Sequence, residues 1–228
     1  EADLRAEDII YKVDDVDVTG MSLQETVSLI KGDENTTVKL TLIRDGKEIE
    51  KEVTRRKVES PTVNFKMLDD GMAYIQITEF DTVTVDQFTE AMAMARGNDM
   101  KGLILDLRSN PGGNLSSVVS IAKQMLPKGL IVYTEDRDGN REEYSCDGSK
   151  ELDVPMVVLV NGNSASASEI LAGAIKDYGI GTLVGTTTFG KGIVQRPIEL
   201  SDGSAVKLTI SSYYTPNGIN IHGIGIEP

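Results

Sequence analysis

Val154-Pro-Met-Val-Val-Leu-Val160, running through Asn161-Gly-Asn-Ser-Ala-Ser-Ala-Ser-Glu169 into Ile170-Leu-Ala-Gly-Ala-Ile-Lys-Asp177, is the stretch whose reading decides the fold. A short apolar run bounded by turn residues reads as a buried strand, here Val154–Asn161. Ser166, followed three residues later by Glu169, has the spacing of a capping box and opens a helix over Ser166–Asp177. A buried strand entering a helix through a tight junction of small residues is a unit of a layered α/β domain.

Working outward, the same alternation continues. Met72–Thr78 reads as a strand, Val85–Arg96 as a helix, Gly102–Leu107 as a buried strand and Ser116–Leu126 as a helix. Downstream, Thr182–Gly185, Ile193–Leu200 and Ala205–Tyr214 are strand-like, the last two joined at Ser201-Asp202-Gly203. Upstream, the polar Arg55–Pro61 (RRKVESP) reads as a linker. Before it lie a strand (Asp8–Val13), a helix (Leu23–Ile30) capped by Ser22 with Glu25, and a hairpin of Thr37–Arg44 and Lys47–Thr54 about Asp45-Gly46. Residues 1–57 are therefore expected to form a small α+β module, and residues 58–228 the main domain.

The composition is that of a globular chain, with 39% hydrophobic and 26% charged residues among 228. No apolar run approaches the roughly 18 residues of a membrane span. A net charge of −13 disfavours nucleic acid, anionic membrane and phosphate-rich ligands. A single cysteine, Cys146, excludes an internal disulfide framework. The chain opens at Glu1 without methionine and stops at Pro228 without a terminal helix, so an excerpt of a longer protein is expected.

Three junctions follow three strands, where α/β sheets place ligands. Asp106-Leu-Arg-Ser-Asn-Pro-Gly-Gly113 is either a glycine turn or a loop whose bare amides approach a substrate, as an oxyanion hole requires. In the second junction Ser166 is either a helix cap or a nucleophile at a helix N-terminus, with the Ala167 amide as an oxyanion donor. Taken alone, both readings stand. A serine hydroxyl needs a base, and a Ser–His–Asp triad would rest on the single histidine, His222, without a G-x-S-x-G elbow. Lys191, flanked by apolar residues and glycines in Thr188-Phe-Gly-Lys-Gly-Ile-Val194, is the alternative; a lysine base must be neutral, which burial favours. Gly185–Lys191 also fits the beginning of a P-loop, but Gly192 stands where the Mg²⁺-binding hydroxyl belongs, and strand rather than helix follows.

In this order the segments DLRSNPGG (Asp106–Gly113), SASASE (Ser164–Glu169) and FGKGIVQ (Phe189–Gln195) resemble the carboxyl-terminal processing, or tail-specific, peptidases. The closing Tyr214–Gly218 and Gly223–Pro228 are similar too, so the likeness covers nearly the whole chain. It implies a serine-peptidase core of the ClpP/crotonase-like α/β type. It implies Ser166 as nucleophile, Lys191 as general base, Gln195 orienting the lysine, and oxyanion donors from Ala167 and from Gly112 or Gly113. Four residues span about 6 Å in a helix but about 13 Å in a strand, so a Gln195–Lys191 contact calls for a helical turn or a bend after Gly192. The resemblance further implies that residues 1–57 are part of a PDZ domain, Ala2–Ile10 being similar to one of its runs, with the first strand and carboxylate-binding loop upstream. It implies protein or peptide substrates with accessible C-termini, no metal or organic cofactor, an extracytoplasmic location, and room for a homo-oligomer. The rival expectations are a non-catalytic ligand- or peptide-binding module on the same fold, and a cysteine hydrolase using Cys146 and His222, with Cys146 in a turn-like context (Tyr144–Gly148).

Overall fold

Alternating apolar residues and two tight turns build the N-terminal part of the chain. The structure is a computed structural model that describes residues 2–57 and 60–228, so the predicted linker Arg55–Pro61 lies partly outside the described residues. Two compact units emerge, Glu1–Ser60 and Pro61–Pro228. In the first, β1 (Ile9–Val13), β2 (Val16–Asp17), α1 (Leu23–Ile30), β3 (Thr37–Arg44) and β4 (Lys47–Thr54) form an antiparallel sheet, ordered β2-β1-β3-β4, with one helix. Asp45 and Gly46 both have positive φ, 52° and 72°, which lets a two-residue turn join β3 to β4. The capping box forms as read: Ser22 N–H donates to Glu25 (2.8 Å) and Glu25 N–H to the Ser22 hydroxyl (3.3 Å). Val13, Val18, Val38, Leu40 and Leu42 make a small core of its own.

The second unit comprises β5 (Val63–Met67), β6 (Met72–Ile77), α2 (Thr82–Gly97), β7 (Gly102–Asp106), α3 (Leu115–Ala122), β8 (Gly129–Asp136), β9 (Arg141–Cys146), β10 (Met156–Val160), α4 (Ala167–Tyr178), β11 (Thr182–Gly185), β12 (Ile193–Glu199) and β13 (Ala205–Tyr214). One sheet runs β11-β10-β7-β6-β5, parallel except for β5; a second, antiparallel, runs β12-β13-β8-β9. Leu103, Leu105, Val158 and Val160 from the parallel strands, Phe88 from α2, Ile121 from α3 and Leu171 from α4 share one fully buried core. Each such side chain contributes about 1.5–3 kcal/mol of transfer free energy. Strands β5, β8 and β9 have no counterpart among the sequence expectations. Among the described residues no helix is long and apolar enough to cross a membrane.

The register of the parallel sheet decides where the chemistry collects. Leu159 pairs with Asp106, and Val160 with Gly185. The three junctions singled out in the sequence therefore leave the carboxyl ends of three adjacent strands, β7, β10 and β11, side by side.

Candidate active site

Ser166 has φ 56° and ψ −112°, a backbone region that side-chain-bearing residues avoid. Its surroundings hold it there. The Ser164 hydroxyl donates to the Leu107 carbonyl (2.8 Å), and the Ser168 hydroxyl (3.1 Å) and Ala165 N–H (3.0 Å) both donate to the Asn110 carbonyl. A strained turn from a strand into a helix is the backbone form of a nucleophile elbow. Here the same turn is formed without the G-x-S-x-G string, the fully buried Ser164 and Ser168 standing where the glycines would. Ser166 itself is half-buried at the N-terminus of α4, and among the described residues the Ala167 amide has no hydrogen-bond partner.

Glu169 is fully buried, and its carboxylate accepts four hydrogen bonds. Oε2 takes the amides of Ser166 (2.8 Å) and Lys191 (2.8 Å); Oε1 takes the Thr188 hydroxyl (2.6 Å) and the Gly190 amide (2.6 Å). The reach-back to Ser166 that the capping spacing predicts is present, but the same side chain also fastens the Lys191 loop to the serine turn. Phe189 N–H adds a bond to the Ser164 carbonyl (3.0 Å). The loop is braced from its other side by the closing segment: Ile226 N–H donates to the Thr188 hydroxyl (2.7 Å) and Gly223 N–H to the Gly190 carbonyl (2.9 Å). Lys191 is half-buried, and its Nζ has no hydrogen-bond partner among the described residues. With Ser109, Pro111, Asn163, Ala165 and Phe189 it lines a cavity of about 430 Å³. The amides of Gly190 and Lys191, which a P-loop would offer to phosphate, are already committed to Glu169.

The third wall is the Asp106–Gly113 loop. The Asp106 carboxylate is fully buried and accepts from Tyr74 Oη (2.7 Å) and from Arg108 Nη2 (2.6 Å) and Nε (3.0 Å). Burial pushes its pKa up, but the bonds from Arg108 and Tyr74 outweigh burial and leave it below the usual carboxylate range. Burial, then the bond to Asp106, raises that of Tyr74. Beyond this anchor Gly112 has φ 103°, and a Cβ built on it would lie 2.7 Å from the Ser166 Cβ. The glycine turn thus touches the serine, as the sequence suggests. The two glycine amides differ, however: that of Gly112 donates to Asn110 Oδ1 (2.9 Å), whereas that of Gly113 has no partner among the described residues.

Gln195, Cys146 and His222 are not joined to this network by hydrogen bonds among the described residues. Gln195 lies exposed on β12, just past a register shift between Val194 and Gln195, and among the described residues no hydrogen bond joins it to Lys191. The chain after Gly192 is strand, bent by a bulge between Val194 and Gln195, rather than a helical turn. Cys146 ends β9 rather than occupying a turn; its thiol is buried and donates to the Leu126 carbonyl (3.4 Å). His222 is exposed in the segment after β13, with no hydrogen bond to Cys146 among the described residues. Residues that sequence reasoning passed over are Asn110, Thr188 and the linking role of Glu169. The one local signal for them is a run of small polar residues around each junction.

Comparison with known proteins bears on this geometry. The profile of Peptidase family S41 matches residues 71–228. The chain belongs to peptidase family S41. A PDZ domain profile matches residues 1–44. The carboxyl-terminal-processing protease of Synechocystis sp. is 40% identical over all of this chain and 55% of its own length. The carboxy-terminal processing protease CtpA of Bacillus subtilis is 39% identical over all of this chain and 49% of its own. Among solved structures, the photosystem II D1 C-terminal processing protease superposes with a TM-score of 0.70 at 35% identity, covering all of this chain and 63% of that one. The chain spans about half the length of the curated relatives it matches.

Proposed function

We propose that the protein of which these residues are part is an endopeptidase that processes substrates near their carboxyl termini, with Ser166 as nucleophile and Lys191 as general base. The observation that carries this reading is the strained Ser166, linked through one buried carboxylate to the loop of a lysine whose Nζ has no partner among the described residues. Lys191 Nζ accepts the Ser166 proton as Oγ attacks the scissile carbonyl carbon. The oxyanion is held by the amides of Ala167 and Gly113, both without partners among the described residues. Collapse expels the leaving amine, protonated by lysine, and leaves an acyl-enzyme; lysine then activates the water that releases it. Of the two glycines we assign the donor role to Gly113, because the Gly112 amide is already satisfied by Asn110. Gln195 is kept outside the dyad, as a residue that tunes it. Substrates are proteins or peptides with accessible C-termini, and the setting is extracytoplasmic.

Cleavage of an unstructured polypeptide tests the assignment. Ser166→Ala and Lys191→Ala are expected to lower kcat by about 10⁴-fold or more. Lys191→Arg is expected to do the same, since guanidinium stays protonated and cannot act as a base. Gln195→Ala is expected to leave partial activity. Wild-type turnover by Ser166→Ala would refute the nucleophile, and an active Lys191→Arg would reduce the lysine to an electrostatic helper.

A further inference from the structure

We propose that Asn110 is a positioning residue that registers the glycine turn against the serine elbow and so sets the spacing of the two oxyanion donors. The inference rests on the Ser166 reading above.

Asn110 is fully buried, and both ends of its amide are used: Nδ2 donates to the Ile77 carbonyl (2.8 Å), and Oδ1 accepts the Gly112 amide (2.9 Å). Its main-chain carbonyl accepts the Ala165 amide (3.0 Å) and the Ser168 hydroxyl (3.1 Å). One residue therefore ties together the end of β6, the glycine turn and both flanks of Ser166.

The direction of the Gly113 amide follows from the neighbouring bonds. The Gly112 carbonyl accepts from Phe80 N–H (2.8 Å), and Asn114 N–H donates to the Phe80 carbonyl (2.7 Å), a short parallel bridge. Across a trans peptide the C=O of one residue and the N–H of the next point in opposite directions. With the Gly112 carbonyl turned to Phe80, the Gly113 N–H is turned away from it. Phe80 thus orients one peptide of the turn, and Asn110 Oδ1 pins the peptide before it. Because the Asn110 carbonyl also holds Ala165 and Ser168, the Gly113 and Ala167 donors share a single reference point. A buried asparagine that merely satisfied its own amide would have no need to bridge both walls.

The test separates transition-state binding from substrate binding. Asn110→Ala is expected to lower kcat by about 10²–10³-fold, the effect of losing one oxyanion donor, with KM changed less than about threefold. Affinity for a peptide aldehyde, whose serine adduct carries the oxyanion, should fall by the same factor as kcat/KM. Affinity of an uncleaved peptide should be equal for Ser166→Ala and Ser166→Ala/Asn110→Ala. If Asn110→Ala does not fold, Ser168→Ala, which removes only a hydroxyl donor from the Asn110 carbonyl, should show the same split at about tenfold. Equal losses of aldehyde and peptide affinity, or wild-type kcat in the variant that folds, would make Asn110 a packing residue and overturn the proposal. Wild-type cleavage by Ser166→Ala would overturn the underlying reading as well, and that result is distinct from either of these.

Discussion

Glu169 places its carboxyl group in the core, and its partners are three amides and one hydroxyl. Burial of an anion is tolerable only when its lone pairs are filled, and here four donors fill them. The arrangement also constrains substitution, because an amide nitrogen cannot accept. Glu169→Gln would turn an NH₂ toward two donors, stranding either the Ser166 and Lys191 amides or the Thr188 hydroxyl and Gly190 amide. Each stranded donor costs about 1–3 kcal/mol. Glu169→Gln is therefore expected to lower urea stability by a few kcal/mol and kcat/KM by at least about tenfold, read from urea melts and steady-state kinetics. Thr188→Ser, which keeps the hydroxyl, should remain close to wild type, whereas Thr188→Val should follow Glu169→Gln. A Glu169→Gln protein with unchanged kinetics would show that the link between the serine turn and the lysine loop is incidental.

At the scale of elements, the site is made where three strand ends meet, and glycine lets two of the junctions touch. Gly112→Ala puts a methyl carbon 2.7 Å from the Ser166 Cβ at a φ of 103°, where an L residue is strained. The expected outcome is a folded protein, by circular dichroism, with kcat reduced by about 10²-fold, since Ser166 or the turn must shift. Strands β7 and β10 were legible because a strand buried on both faces is a continuous apolar run. Of the antiparallel strands in the second unit, β12 and β13 were legible too, but β5, β8 and β9 were not. Arg141-Glu-Glu-Tyr-Ser-Cys146 forms an edge strand with mostly exposed side chains, so it carries a strand's hydrogen bonds without a strand's apolar pattern. Val63–Met67 alternates over only five residues, too few to stand out. Ser166 and Lys191 could be singled out along the chain by residue type and context. The linking roles of Asn110 and Glu169 could not, since the bonds that make them span 58 and 22 positions and exist only once the strands are in register. Gln195 lies on β12 just past a bulge, and among the described residues no hydrogen bond joins it to Lys191.

For the whole molecule, 36 acidic against 23 basic residues mean that acidification first relieves repulsion and then breaks the few carboxylates that are firmly paired. Asp8 in the first unit and Asp106 in the second are two of them. In the first, Arg44 donates Nε and Nη2 to the two oxygens of Asp8, both bonds 2.7 Å, and with the Arg5 amide holds the Asp8 pKa near about 2. In the second, Arg108 and Tyr74 hold that of Asp106 below the ordinary range against the opposing effect of burial. The sign is the same in both. The folded carboxyl binds its proton less readily than the unfolded one, so stability is fully present above the unfolded pKa of roughly 3.9 and is lost as pH falls through the folded value. Stability should therefore change little between neutrality and about pH 5 and drop steeply below about pH 4. Replacing Arg44 by Met isolates the share of the first unit. With the guanidinium gone, Asp8 returns toward an ordinary carboxylate, and the variant should melt earlier than wild type at pH 7 but almost level with it near pH 2. Thermal unfolding followed by far-ultraviolet circular dichroism at both pH values checks this. A melting difference that stays the same at both would mean that Arg44 acts through its packing and its bond to the Asp3 carbonyl rather than through the charge of Asp8.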